Sequence, residues 1–364
     1  MITFLDLIQN DGFRSFVSKR IEDGTQKPYM FPPVLPLLYK YRSLSMHAID
    51  DIVNNKITLT SIGEFNDIFD GAIHQYGSLE EIEAAAEAWW TEMETHRIAA
   101  RLPGGLLRRD DIVKPYIEHL KTEARLKFRE LDYLGTFVCC FSKENSSTLM
   151  WAHYADSNKG LCIEYDFNKL PIPKGDLLRS SIFPVAYTSE PIDVGDLLSE
   201  TGSQIYQYPL DAAVLCTALN KASVWQYEQE WRIIWVLASS LEMDQRLTIN
   251  SLIVPSKLYF GYHFLRPFFY YNYTSDSEYK KCKEIINKFM ELVAYMQNNK
   301  IRAAVMTPSI GSYKFIPYDI SPDALYGFML QHFQDGQPES MRYYYTVHDY
   351  LMDLLERSEE GTHV

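Results

Sequence analysis

Trp225-Gln226-Tyr227-Glu228-Gln229-Glu230-Trp231-Arg232-Ile233-Ile234 sets two carboxylates at the mouth of an apolar run that continues to Leu237. The run reads as a buried strand. At a period of two residues, Glu228 and Glu230 project from the same side of it. Like charges this close repel, so one of the two holds its proton more tightly than a free glutamate does. A strand needed only for the fold gains nothing from that pairing. Read functionally, Glu230 is a catalytic carboxylate and Glu228 its helper. The bland alternative leaves both solvated and paired with Arg232 or Lys221, as in many structural ion pairs.

Outward from this stretch, the chain has 364 residues, room for one large domain or two ordinary ones. Its hydrophobic fraction, 46%, is that of a globular protein. Tyrosines (26) outnumber phenylalanines (19), which suits broad, partly wet surfaces such as clefts. A net charge of -13 argues against a general nucleic-acid binder, whose affinity comes from Lys and Arg contacts to phosphate. The five cysteines form no CxxC pair and read as reduced, buried residues rather than a zinc site or disulfide frame. No apolar run approaches the roughly 20 residues that span a bilayer, and the N-terminus lacks a basic region followed by an apolar core. The expectation is a cytoplasmic protein with no membrane partner.

Punctuation along the chain divides it. Residues 1–36 read as an arm, weakly amphipathic and then forced into an extended linker by Pro28, Pro32, Pro33 and Pro36. Residues 37–318 read as the main α+β domain, a mixed β-sheet core. Strands are expected at 37–42, 57–60, 135–142, 160–165, 185–187, 231–237, 258–260, 301–306 and 313–316. A helix is expected over 210–222, ending near Lys221, and an amphipathic one over 277–298. Residues 79–131 carry apolar positions at steps of three and four and read as an inserted helical hairpin broken at Pro103-Gly104-Gly105. Residues 319–364 read as a helical C-terminal appendage. The loop Glu64-Phe65-Asn66-Asp67-Ile68-Phe69-Asp70-Gly71 is polar between aromatics, a pattern common at functional sites. His153 has no nucleophile at a useful spacing and reads as structural. Ser142 lies in no GxSxG elbow, which argues against a hydrolase.

Polar residues at strand ends follow the order Arg42, Ser142, then Glu228-Gln229-Glu230. This order resembles the arginine-type pattern of the ADP-ribosyltransferase fold, with Cys140-Phe141-Ser142 departing from its usual Ser-Thr-Ser triplet. The resemblance implies NAD as a substrate held in a cleft between two small sheets. An arginine fork at Arg42 would hold the pyrophosphate. Ser142 would hold the ribose or brace the glutamate, Asn66 would line the same site, and Trp151 or Tyr154 would stack the nicotinamide. Glu230 would stabilise the cation-like sugar, and Glu228 would take the proton of the attacking group.

A wider set of ordered motifs resembles the bacterial family catalogued as domain of unknown function 2971. The set is Tyr39-Lys40-Tyr41-Arg42, Phe65-Asn66-Asp67-Ile68-Phe69-Asp70, Cys140-Phe141-Ser142, Met150-Trp151-Ala152-His153-Tyr154-Ala155 with Gly160, and the opening stretch through Arg232. It runs from about residue 37 to 262 or 318, with Ile68 where the family usually has proline. The resemblance implies a toxin or phage-defence effector that modifies a macromolecular target, protein or nucleic acid, and that has an antitoxin or defence partner. Two alternatives stand beside it. One is a non-catalytic sensor or antitoxin-like binding module. The other is a metal-dependent nuclease in which Asp67, Asp70, Glu228 and Glu230 clamp Mg²⁺.

Overall fold

The computed structural model describes residues 35–67, 69–70, 73–74, 79–95, 109, 113–119, 136–171, 178–179, 181–189, 192–193, 218–236, 246–270, 276–333, 339–340 and 347–360. The expected N-terminal arm, apart from residues 35–36, and the break at 103–105 lie outside these residues. In chain order the elements used below are β1 (Leu38–Arg42), α1 (Met46–Val53), β2 (Lys56–Ser61), α2 (Leu79–Thr95), β3 (Thr136–Ser142) and α3 (Thr148–Tyr154). They continue with β4 (Leu161–Tyr165), β5 (Ile182–Pro184), β6 (Ala186–Thr188), β7 (Asn220–Ala222), β8 (Glu230–Val236) and β9 (Arg246–Asn250). The last are β10 (Lys257–Phe260), α4 (Asp276–Asn299), β11 (Arg302–Pro308), β12 (Phe315–Ile320), α5 (Pro322–His332) and α6 (Val347–Glu360).

The architecture is α+β around a ten-stranded mixed sheet in the order β9-β2-β3-β1-β4-β10-β11-β12, with β8 and then β5 branching from β3. Strands β3 and β4 are buried along nearly their whole length, on both faces, as in a doubly covered sheet. One face carries α1 and α4. On α4 the buried residues Cys282, Ile286, Phe289, Val293 and Met296 recur every three or four positions, the stripe of a helix lying on a core. Fully burying a side chain such as Phe289 contributes about 1.5–3 kcal/mol. The other face carries α3, whose Met150 and Trp151 pack on Tyr41, Cys162 and Tyr259.

β3 is where the sheet branches. Along one edge it pairs with β8 from end to end. Along the other it meets β2 at Phe137 and Val138 and β1 at Ser142. Between those contacts, beside residues 139–141, the neighbouring strands part. Lys40 occupies the gap, its Nζ donating to the Cys140 carbonyl at 3.3 Å and to Cys139 Sγ at 3.0 Å.

Several expectations change here. Residues 220–222 form strand β7 rather than the end of a helix, which places Lys221 in the interior. A strand at 246–250, β9, was not foreseen; its Leu247 and Ile249 alternate, but polar residues flank and separate them. The C-terminal helices are not a detachable appendage, because Leu325, Phe328, Leu351 and Leu354 join the same buried cluster as Leu38 and Ile163. In the hairpin region α2 packs on helical residues 113–119 through Ile82, Ala86, Trp90 and Val113, with Trp89 stacked on Tyr116 at 4.1 Å.

The link from α3 to β4 is unusually tight. Asp156, Ser157 and Asn158 all take left-handed φ values of 47, 53 and 67°, a region that Asp and Asn tolerate better than most residues. Gly160 then passes so close to the backbone of Arg42 and Ala155 that a Cβ would overlap both. Gly160→Ala is expected to destabilise the protein by about 3 kcal/mol, the upper range for overpacking against backbone, read as a shift in the urea midpoint at unchanged slope.

Candidate active site

The cleft opens where β1 and β2 part from β3. It encloses about 290 Å³ and is lined by Tyr39, Lys40, Tyr41, Ser142, Tyr154, Lys221, Glu228 and Glu230, with Asn66 and Phe65 from the 64–67 loop. That volume suits a small organic ligand. Directly paired strand residues share a face. The register Tyr39–Ser142–Glu230 across β1, β3 and β8 therefore sets these three side chains in a row.

Period two does not explain the glutamate pair. Glu228 is the last residue of a short 3-10 turn, Ser223–Glu228, and β8 begins only at Glu230. Gln229 between them adopts a left-handed conformation, φ 44° and ψ 53°, and this reversal turns both carboxylates into the cleft. The Ser142 hydroxyl clamps the turn. It donates to the Glu228 carbonyl at 2.7 Å and accepts from the Glu144 amide at 3.1 Å.

Half of the bland expectation holds: the carboxylates pair with Lys221 and Arg232, but they are buried rather than solvated. Arg232 has no exposed surface. Its guanidinium forks onto Asp70 at 2.7 and 2.6 Å and onto Glu230 at 2.8 and 3.1 Å, and it donates to the Ala218 carbonyl at 2.6 Å. Lys221 Nζ reaches Glu228 at 2.5 Å, Glu230 at 3.0 Å and Asp70 at 3.6 Å. Two cations thus face three carboxylates. Glu228 completes its contacts by accepting from the Tyr154 hydroxyl at 2.6 Å, and Asn66 hydrogen-bonds the same hydroxyl.

The imbalance drives the two glutamates apart. Burial works against the charge of Glu230, but Arg232 and Lys221 outweigh it and hold its carboxyl down at about 2. Burial pushes Glu228 up, and Lys221, divided among three carboxylates, does not offset it; the Glu230 charge adds to the rise. Lys221 stays protonated because Glu230, Asp70 and Glu228 together outweigh its desolvation. The Cys140 thiol also lines the cleft, but burial and the adjacent Glu230 push it well above the ordinary thiol range, so it is no thiolate nucleophile.

Of the residues anticipated for the site, Glu228, Glu230, Ser142, Asn66 and Tyr154 meet in this cleft. Arg42 does not. It lies three residues beyond Tyr39 on β1, hence on the opposite face, where its Nη1 pairs with Asp51 of α1 at 2.6 Å. Trp151 is likewise withdrawn: it has no exposed surface, its indole N–H donates to the Asn145 carbonyl at 2.7 Å, and it packs edge-on to Tyr41. Lys40, Tyr39 and Tyr41 were missed as cleft residues; the alternation of the two tyrosines with Arg42 was the available signal for them, and it does not point to Lys40, which shares the face of Arg42. Asp67 caps its own loop, accepting from the Phe69 amide at 2.9 Å. The oxygens of Asp70, Glu228 and Glu230 are turned to Lys221 and Arg232. Among the described residues no group of three His, Cys, Asp or Glu is arranged to hold a metal ion. No helix of the described residues is long and apolar enough to cross a membrane.

Comparison with known proteins bears on the centre of this site. Residues 150–233 match the family model of a protein of unknown function, DUF2971. The matched segment runs from Met150 through Ile233, so it contains Tyr154, Lys221, both glutamates and the arginine that anchors them. It is narrower than the resemblance expected from residue 37 onward. No curated protein and no solved structure matches the chain, so the likeness to ADP-ribosyltransferases finds no counterpart among them.

The opposed shifts set opposite pH dependences. Glu230 stabilises the fold above the ordinary carboxylate value of about 4.3, a contribution lost as pH falls toward about 2. Glu228, raised in the fold, contributes below the ordinary value, and that contribution is lost as pH rises through its elevated pKa. Glu230→Gln strands Arg232 and Lys221 and is expected to destabilise by about 3–5 kcal/mol at pH 7. Glu228→Gln keeps the Tyr154 contact and sheds a buried charge. Its melting temperature is expected to equal or exceed wild type once the pH is well above the ordinary carboxylate value, where the wild-type group loses its contribution, with a flatter profile on that side. Thermal unfolding across pH measures both.

Proposed function

We propose that the cleft takes NAD and that the protein transfers its ADP-ribose unit to a macromolecule, the chemistry of a toxin or defence effector. One observation carries this reading: two carboxylates of one cleft are pushed apart in pKa, the usual mark of divided roles. Glu230, always ionised, is the fixed negative charge that favours a cation-like sugar as the bond to nicotinamide breaks and its electron pair leaves with the ring. Glu228, raised toward working pH, accepts the proton of the acceptor group that attacks the sugar. Tyr39, Tyr41 and Phe65 offer aromatic surface to a cationic nicotinamide. Lys40, not Arg42, is the cation at hand for the phosphates.

A second reading is a binding module that holds a nucleotide without turning it over. It is favoured by the saturation of the ionic cluster and by the use of the Ser142 hydroxyl in two structural bonds.

NAD labelled in its adenylate portion separates the two. Under the transferase reading, the purified protein releases nicotinamide and moves label onto a macromolecule, and Glu228→Gln slows transfer by about 100-fold or more while NAD still binds. An unchanged rate in that variant removes Glu228 from the chemistry. NAD binding without nicotinamide release by wild type favours the binding module, and absence of binding rejects both.

A further inference from the structure

Next to the cleft, on its Glu228 side, lies a row of aromatic rings, of which Tyr154 lines the cleft itself. Trp225 and Tyr227 come from the turn before β8, and His153 and Tyr154 from the last turn of α3. Their ring centres follow one another at 6.0 Å (Trp225 to Tyr227), 6.2 Å (Tyr227 to His153) and 6.3 Å (His153 to Tyr154). The Tyr227 hydroxyl lies 3.2 Å from His153 Nδ1, which ties the two elements together. Tyr154 ends the series at the Glu228 carboxylate. Trp225, Tyr227 and Tyr154 are half-buried and His153 is exposed, so the row borders solvent. A row of partly exposed rings leading into a carboxylate-lined cleft is a stacking surface for a planar ring.

The charge at one end selects which ring. Lys221 Nζ lies 5.2 Å from the centre of the Trp225 ring. An ammonium on one face draws on the negative π cloud of the indole and disfavours a second cation on the other. A cationic pyridinium is therefore better placed inside, beside Glu228, Glu230 and the cleft tyrosines. A neutral, electron-rich purine is better placed on the rim.

We propose that Trp225 and Tyr227 form the adenine subsite of the cleft, so that a dinucleotide enters with its nicotinamide inward and its adenine on the rim. This rests on the NAD reading above and adds the ligand's orientation. Two half-ligands test it on the full-length protein by calorimetry. ADP-ribose carries the adenine without nicotinamide; nicotinamide mononucleotide carries the reverse. Trp225→Ala and Tyr227→Ala are each expected to weaken ADP-ribose about tenfold and to leave nicotinamide mononucleotide unchanged, while Trp225→Phe recovers most of the loss. Thermal unfolding confirms that each variant is folded. Equal weakening of both half-ligands, or loss for nicotinamide mononucleotide alone, overturns the orientation. So does unaltered ADP-ribose binding in both alanine variants. If wild type binds NAD and ADP-ribose while the variants behave in one of those ways, only the subsite fails. If wild type binds neither, the NAD reading fails with it.

Discussion

A guanidinium without water is the constraint around which this protein is arranged. Arg232 sits at zero exposure in the middle of a strand. Removing such an ion from water costs several kcal/mol unless close, well-aligned partners restore what hydration supplied. Its partners come from widely separated parts of the chain: Asp70 from the loop after β2, Glu230 from its own strand and the carbonyl of Ala218 ahead of β7. Satisfying one arginine therefore docks a loop and a short strand against β8. Lys221, carried on β7, arrives with them and binds Glu228. The cleft is largely a by-product of that docking, since Glu230, which neutralises Arg232, and Lys221 and Glu228, which arrive beside it, form its charged wall.

The extent to which this was legible in the sequence follows from where its information is local. The Glu-x-Glu pair, the buried strand after it and the 3.6-residue stripe of α4 are local patterns, and each has a counterpart in the structure. What failed depended on register or on distant partners. Arg42 and Lys40 differ by two positions and share a strand face, yet only Lys40 reaches the gap beside β3, because β1 diverges from β3 beyond Ser142. The period of a strand does not say where its neighbour leaves it. Trp151 looked available for stacking because a single sequence cannot show that α3 lies flat on Tyr41 and Tyr259. Lys221 was placed at a helix end when β7 is only three residues long and pairs with β6, itself three residues. The left-handed Gln229 had no signal, since neither glycine nor asparagine occupies the position.

The two glutamates show how one short segment produces unlike groups from like residues. They differ by two positions and share Lys221. Only Glu230 also receives the fork of Arg232, and only Glu228 receives a neutral phenol. That difference in partners separates a permanent anion from a titrating acid. The turn at Gln229 enforces it, because an extended residue there would carry Glu228 away from Tyr154 and leave the Ser142 clamp without its carbonyl.

The excess of one carboxylate over the cations has a consequence for how the chain exchanges protons with its surroundings. Above the ordinary carboxylate value, folding draws onto Glu228 a proton that the open chain has already released. In acid, folding expels one from Glu230. The folding reaction is thus a proton consumer on one side of the ordinary carboxylate pKa and a proton donor on the other. The enthalpy recorded for unfolding will carry the ionisation heat of whichever buffer supplies or accepts that proton, with opposite sign in the two ranges. Measured in buffers of different ionisation heat, the chain reports the charge state of its own cleft without any ligand being known.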